Sequence, residues 1–298
     1  MAFGANSLLC RLALKQTGID AASFTLIRIL SGALMLCLFL SVRSLQGRTT
    51  SSVAASDDRQ PPRPHGAFFP LGGNWLSALT LFAYAASFSF AYARLSAATG
   101  ALLLFAAVQA TMILWGLRRG ERLHARQLFG LTLAFAGLVA LVFPGLSAPP
   151  LSGSIIMLCS GVTWGTYSLR GQGEGDAAAS TTGNFLRAVP FAALLSLALL
   201  PSAHLHRAGT TYAVFSGAIT SGLGYIIWYT ALPHLKATSA AIVQLSVPVL
   251  AATGGILLLH ESLSLRFLFA SVAVLGGIAL VVIRPFRRPA DSVPVTLP

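Results

Sequence analysis

Two arginines lie where a bilayer would disfavour them. Arg28, in TLIRILSGAL, and Arg187, in NFLRAVPFAAL, each sit about six residues inside an apolar run. An arginine at the centre of a membrane helix costs about 2.5–3.5 kcal/mol on insertion scales, so each needs a compensating environment. One such environment is a nearby headgroup reached by snorkelling. Another is a ligand carboxylate or phosphate gripped by the guanidinium fork, or backbone carbonyls of a facing segment. No aspartate or glutamate lies mid-segment to pair with either arginine, and the usual proton-relay device is missing with it.

Other polar groups share these runs. Asn6, Gln109 and Gln244 are amides that must find partners, either across a helix interface or on a pathway. Tyr84, Trp164, Tyr167 and Tyr225 offer aromatic surface with a polar tip, suited to lining a pocket; Tyr92, Trp228 and Tyr229 fit an interfacial belt better. With Arg28 and Arg187 these make the candidate substrate-binding set: Asn6, Arg28, Tyr84, Gln109, Trp164, Tyr167, Arg187, Tyr225 and Gln244. Glu121 and Glu261 close apolar segments, where a helix C-terminus disfavours negative charge. They are expected to pair with Arg126 and Arg266 or to cap the next helix. His204-x-His206 has no third ligand nearby, so no metal site is expected. Cys10, Cys37 and Cys159 lack CxxC spacing and read as small core residues. Ser160 and Ser221 are hydroxyls without a deep histidine, lysine or aspartate to activate them, which argues against an intramembrane enzyme. No cofactor is implied.

The segments that must position these groups fill the chain. It has 298 residues, 55% hydrophobic and only 9% charged, against about 25% charged in a soluble domain. Ten apolar segments are expected, near 2–14, 23–42, 71–93, 96–118, 125–144, 152–170, 181–200, 209–232, 236–259 and 264–284. The fold class is therefore all-α, a polytopic membrane protein. The net charge of +12 reflects arginines between segments, not a nucleic-acid surface. With the N-terminus inside, Arg43, Arg48, Arg59, Arg63, Arg118, Arg119, Arg122, Arg126, Arg170, Lys236, Arg284, Arg287 and Arg288 are cytoplasmic. Only Lys15, Arg94, Arg207 and Arg266 face out, and this asymmetry sets the expected orientation, both termini cytoplasmic. Residues 43–70 read as a cytoplasmic loop and 286–298 as a cytoplasmic tail. Pro190 and Pro248 are expected to kink their helices.

The chain also repeats. Shifted by 140 positions, Ala97, Ala101, Leu117, Glu121, Leu123, Arg126, Leu128, Phe129, Gly137 and Val142 fall on identical residues from Ala237 to Val282, and ExLxxRxLF is present in both copies. Phe3-Gly4-Ala5-Asn6 similarly echoes Trp164-Gly165-Thr166-Tyr167. Thirteen residues, Ser152 to Trp164, run up to and include the second aromatic but only three the first, so the first helix reads as truncated: either Met1 is a misassigned start, the favoured reading, or the protein begins with a half-helix. Each copy, 1–145 and 150–285, holds an odd number of segments, so the two must insert upside down relative to each other, with a shared site near the midplane.

The sequence resembles the drug/metabolite transporter superfamily in its EamA-like ten-helix form. The likeness rests on SVPVLAATGGILLLHESL, on GERLHARQLFGLTLAFAGLVAL with its recurrence HESLSLRFLFASVAVLGGIALVV, and on the arginine-bearing second helix of each copy. Segment four carries Val108-Gln109 where the family's proline stands, which points to an amide facing the pathway. The resemblance implies a secondary carrier in a bacterial cytoplasmic membrane, an exporter of an amino acid or related metabolite, with no enzymatic activity. A monomer in the lipid bilayer is expected, because an internally duplicated carrier needs no partner. A receptor or assembly subunit is the competing class, disfavoured by the lack of a sizeable soluble domain.

Overall fold

The computed structural model describes residues 1–54, 71–120, 124–145, 148–171, 175–231 and 237–282, without side-chain placement at 46–54, 237–243 and 245. Among these residues the chain is helical: α1 (Ala2–Gln16), α2 (Ala21–Ala54), α3 (Trp75–Tyr92), α4 (Ala97–Arg118), α5 (Ala125–Val142), α6 (Leu151–Arg170) and α7 (Ala177–Ala198). A short 3₁₀ turn (Leu200–Ser202) follows. Then come α8 (Arg207–Phe215), a π-helical stretch (Ser216–Leu223), α9 (Gly224–Ala231), α10 (Ala237–Leu259) and α11 (Leu265–Val282). Five spans, Ala21–Leu45, α3, α4, α5 and α11, are long and apolar enough to cross a membrane on length and composition. Leu30, Leu34 and Leu38 on α2, and Leu265, Leu268, Phe269 and Val272 on α11, keep large apolar side chains outside, as lipid-facing stripes do.

Polar residues set where these helices begin. Asn74 accepts from the Ser77 N–H (2.9 Å) ahead of α3, and Ser96 from the Thr99 N–H (3.2 Å) ahead of α4. Asp176 accepts from Ala178 and Ala179 N–H ahead of α7, and Asp20 does the same for α2 through Ala22 and Ser23. Each satisfies N–H groups that a helix leaves open. The loop expected at 43–70 begins later, because α2 runs on to Ala54; its polar last turns need no apolar surface once the helix has grown from the apolar segment. The rest of that loop, Glu121 and the 286–298 tail lie outside the described residues.

Small residues set how the helices cross. Where α5 meets α11, a Cβ on Gly130 would come within 2.5 Å of the Gly277 carbonyl oxygen, and one on Gly277 within 2.4 Å of the Gly130 carbonyl oxygen. Two turns further along α5, Gly137 lies against Ala270 and Ala273. Gln127 donates to the Val281 carbonyl (3.1 Å), and Arg266 donates to the carbonyls of Ala140 (2.7 Å) and Phe143. Rising numbers on α5 thus meet falling numbers on α11, so the two run antiparallel. The contacts are reciprocal under the 140-residue shift, for position 130 meets 277 and position 137 meets 270.

The principal pairings come in matching sets. α3 packs on α6 as α1 packs on α8 and the π stretch; α4 packs on α6 as α1 packs on α10; α3 packs on α7 as α2 packs on α8 and the π stretch. The remaining large pairings, α2 with α7, α4 with α10 and α5 with α11, join corresponding helices directly.

Candidate functional site

Arg28 sits at the centre of the bundle, only 2% exposed. Its Nε donates to Ser221 Oγ (3.1 Å) and one terminal nitrogen donates to the Tyr84 hydroxyl (3.2 Å). Its guanidinium carbon lies 4.8 Å from the Phe88 ring centroid and 5.3 Å from that of Tyr84. The other terminal nitrogen, NH1, is buried without a hydrogen-bond partner. Among the described residues no carboxylate pairs with it: the ion pairs join Arg11 to Glu261 and Arg43 to Asp176.

Rings from five helices enclose this cation. Trp164 of α6 lies 4.7 Å from Tyr84 and 4.9 Å from Tyr225, centroid to centroid. Phe3 of α1 contacts Trp164, Tyr225 and Trp228, while Phe185 of α7 meets Tyr225 edge-on. Tyr167 continues the cluster from Trp164 toward Tyr229. These tilted and edge-on arrangements suit aromatic quadrupoles, and the ring faces next to Arg28 add cation–π attraction.

The π stretch brings Ser221 to Arg28. Its wider turn changes the facing of the helix, and small residues let it press against α2. A Cβ on Gly217 would come within 2.0 Å of the Arg28 carbonyl oxygen. On its other side Ser216 and Thr220 donate to Asn6 Oδ1 of α1 at 2.6 and 3.1 Å. Such π turns recur at functional sites. In the sequence SGAITSGLG is simply part of the apolar segment 209–232, and its glycines are the one signal there that suggests a close approach.

The structure brings Arg28, Tyr84, Trp164, Tyr167 and Tyr225 together, with Asn6 one hydrogen bond from the π stretch. It places the others elsewhere. Gln109 lines a crevice of about 70 Å³ with Leu131, Phe135 and Ile278, between α4, α5 and α11. Gln244 is buried in α10, and Arg187 is half-buried at one end of the bundle, donating to the Gly72 carbonyl (2.8 Å). Phe3, Phe88, Phe185 and Ser221 belong to the cluster but were not in the candidate set.

Both ends of the bundle are tied. At one end Arg11 Nε donates to Glu261 (3.2 Å) and another guanidinium nitrogen to the Tyr92 carbonyl (2.8 Å), while the second Glu261 oxygen accepts from the Ala97 N–H (2.9 Å). Glu261, 9% exposed, therefore caps α4 from the far copy and pairs with Arg11, not with Arg266, whose Nε and one terminal nitrogen donate to carbonyls. Beside it a crevice of about 280 Å³ opens between Arg94, Ser96, Leu141 and Phe267. At the other end the Asn74 N–H donates to Asn184 (3.0 Å), and Arg170 donates to Ser77 and Asn74 (3.0 Å each). A cleft between Tyr167, Ser180, Asn184 and Tyr229 is about 10 Å³, room for one water molecule.

Arg43 and Asp176 also meet at that second end (3.2 Å). Burial pushes the Asp176 carboxyl up, but the Ala179 N–H and the Arg43 guanidinium outweigh it and hold its pKa below the usual carboxylate value. A depressed pKa stabilises the fold above the ordinary value, and the contribution fades as pH falls through the depressed one. Asp176→Ala is expected to lose about 0.5–2 kcal/mol at pH 7 as the α7 cap is removed. Melting curves should show the gap to wild type narrowing below about pH 4.

Residues 151–283 match the model of the EamA-like transporter family. An uncharacterized protein of Pseudomonas aeruginosa is 53% identical over 290 residues, covering 97% of this chain and 94% of that one. An uncharacterized transporter of Archaeoglobus fulgidus is 26% identical over 226 residues, covering 71% of this chain and 77% of its own. A crystal structure aligns with a TM-score of 0.56 at 19% identity, over 94% of this chain and 95% of the other, a likeness of fold.

Proposed function

The chain belongs to the EamA-like transporter family of the drug/metabolite transporter superfamily, and from that premise we propose that it is a secondary carrier that exports a small metabolite, such as an amino acid or related compound, by alternating access. The observation that carries this reading is the central cluster around Arg28, built from both copies and tied off at both ends. Inverted repeats put a shared site where the halves meet, and rocking one half against the other exposes it to each side in turn.

In this reading residues 1–145 and 150–285 are the inverted halves; the matched pairings and the antiparallel α5–α11 crossing support that division. Both termini then face the cytoplasm of a bacterial inner membrane, a placement that the excess of arginine in the turns on that side supports. The Arg11–Glu261–Ala97 tie then serves as the outer gate, and the Asn74–Asn184 and Arg43–Asp176 ties as the inner one. Asn6, Arg28, Tyr84, Trp164, Tyr167 and Tyr225 form the binding region, with Gln109, Arg187 and Gln244 acting on the paths to it. The carrier works as a monomer, holds no cofactor and performs no catalytic step.

The test is reconstitution of the full chain into liposomes with labelled amino acids and nucleosides. The reading predicts saturable flux of at least one solute that protein-free liposomes lack. Flux of none would contradict it.

A further inference from the structure

We infer that the central site takes a monocarboxylate, bound through Arg28; this rests on the carrier reading above and names its substrate class. Three features of the cluster converge. The Arg28 guanidinium is 2% exposed, and its NH1 is buried with no partner. A buried donor on a charged group left in that state is costly, so the position is one that an incoming acceptor would stabilise. The two groups already engaged, Ser221 Oγ and the Tyr84 hydroxyl, accept from the guanidinium and keep protons of their own to donate. The cluster is therefore rich in donors around one positive charge.

Charge selects among anions. Arg28 is the only charged side chain in the ring cluster among the described residues, which balances one negative charge. A phosphomonoester carries about −1.5 to −2 near pH 7 and would enter under-compensated. A carboxylate carries −1, and its oxygens suit the planar guanidinium. The rest of the ligand would meet the rings of Phe3, Trp164 and Tyr225, which accept an apolar body by burial and an ammonium by cation–π attraction. No carboxylate of the cluster stands ready for that ammonium, so a zwitterionic amino acid fits through its carboxylate first.

The test uses the purified full chain, with binding read as thermal stabilisation and as a change in tryptophan fluorescence. The probes are monocarboxylates from acetate to L-phenylalanine, each beside its amide, together with phenyl phosphate, inorganic phosphate and sodium chloride. At least one acid is expected to bind while its amide and the phosphates do not. Arg28→Gln should weaken that acid about 30-fold or more and Arg28→Lys less. Because Arg28 also joins α2 to α3 and the π stretch, Tyr84→Phe and Ser221→Ala are measured too; they keep the cation, remove one donor each, and should weaken binding by several-fold. The inference is overturned if no monocarboxylate binds, if acid and amide bind alike, if chloride or phosphate binds as well as the acid, or if the well-folded variants bind like wild type. Flux in liposomes separates the two readings. Arg28-dependent binding without flux sinks the carrier and leaves the site. Saturable flux of an uncharged solute, indifferent to Arg28, sinks the site and leaves the carrier.

Discussion

Glu261→Ala is expected to destabilise the protein by about 3–5 kcal/mol, the scale on which breaking a buried ion pair from one side is felt. Two groups lose their partner at once. Arg11, whose side chain is 12% exposed, would keep a buried charge held only by the carbonyl oxygens of Tyr92 and Ala93. The Ala97 N–H at the start of α4 would lose its carboxylate acceptor. Glu261→Gln keeps an acceptor for Ala97 while removing the charge, so it should fall between alanine and wild type. Arg11→Gln with Glu261→Gln should be more stable than the sum of the single changes predicts, because the pair is coupled. Thermal unfolding in detergent of wild type, Glu261→Ala, Glu261→Gln, Arg11→Gln and the double variant measures this. In liposomes Glu261→Ala is also expected to lower flux, since the tie joins α1 and the α3–α4 turn to the end of α10.

The second large effect falls on adjacent glycines with opposite fates. Gly277→Leu should cost about 3 kcal/mol or more, because its Cβ would sit 2.4 Å from the Gly130 carbonyl oxygen and 2.6 Å from the Ala134 nitrogen. Backbone cannot yield there without separating α5 from α11. Gly276→Leu, one residue earlier, meets nothing within 4 Å and should be neutral or slightly stabilising, since leucine favours helix over glycine. Melting temperatures and elution profiles of the two variants should diverge. Equal behaviour would mean that the crossing is not where the structure puts it.

The sequence alone distinguishes those two glycines only through the repeat: Gly277 matches Gly137, whereas Gly276 matches Ala136. That is typical of what was legible. Apolar runs located α4, α5, α10 and α11 to within two residues, since length and hydropathy decide a membrane span. Polar helix ends were less visible. α7 starts at Ala177, four residues before its apolar run, because Asp176 caps a polar first turn; α2 extends to Ala54 through residues that hydropathy assigns to a loop. The π stretch was invisible because an extra residue per turn leaves composition unchanged.

The cluster was legible in part for a related reason. Arg28, Tyr84, Trp164, Tyr167 and Tyr225 are conspicuous by type in apolar sequence, and residue type was enough to single them out. Phe3, Phe88 and Phe185 look like ordinary core, and only their placement around a guanidinium distinguishes them. Arg28 and Arg187 occupy similar positions in sequence yet have different surroundings, one among rings and the other on a carbonyl of the 71–74 loop. Spacing cannot separate them, because what differs is the chain that packs against each. Glu261 shows the same limit: its partners, Arg11 and Ala97, are 250 and 164 residues away.

The proposed carrier requires two halves that cross the membrane in opposite senses, and impermeant thiol labelling of intact cells tests that most directly. With Cys10, Cys37 and Cys159 replaced by alanine, single cysteines are placed at two exposed positions, Arg119→Cys after α4 and Ser262→Cys after α10. Ser262→Cys should react from outside, and Arg119→Cys only once the membrane is opened. Reaction of both from the same side would contradict the inverted arrangement and the carrier built on it.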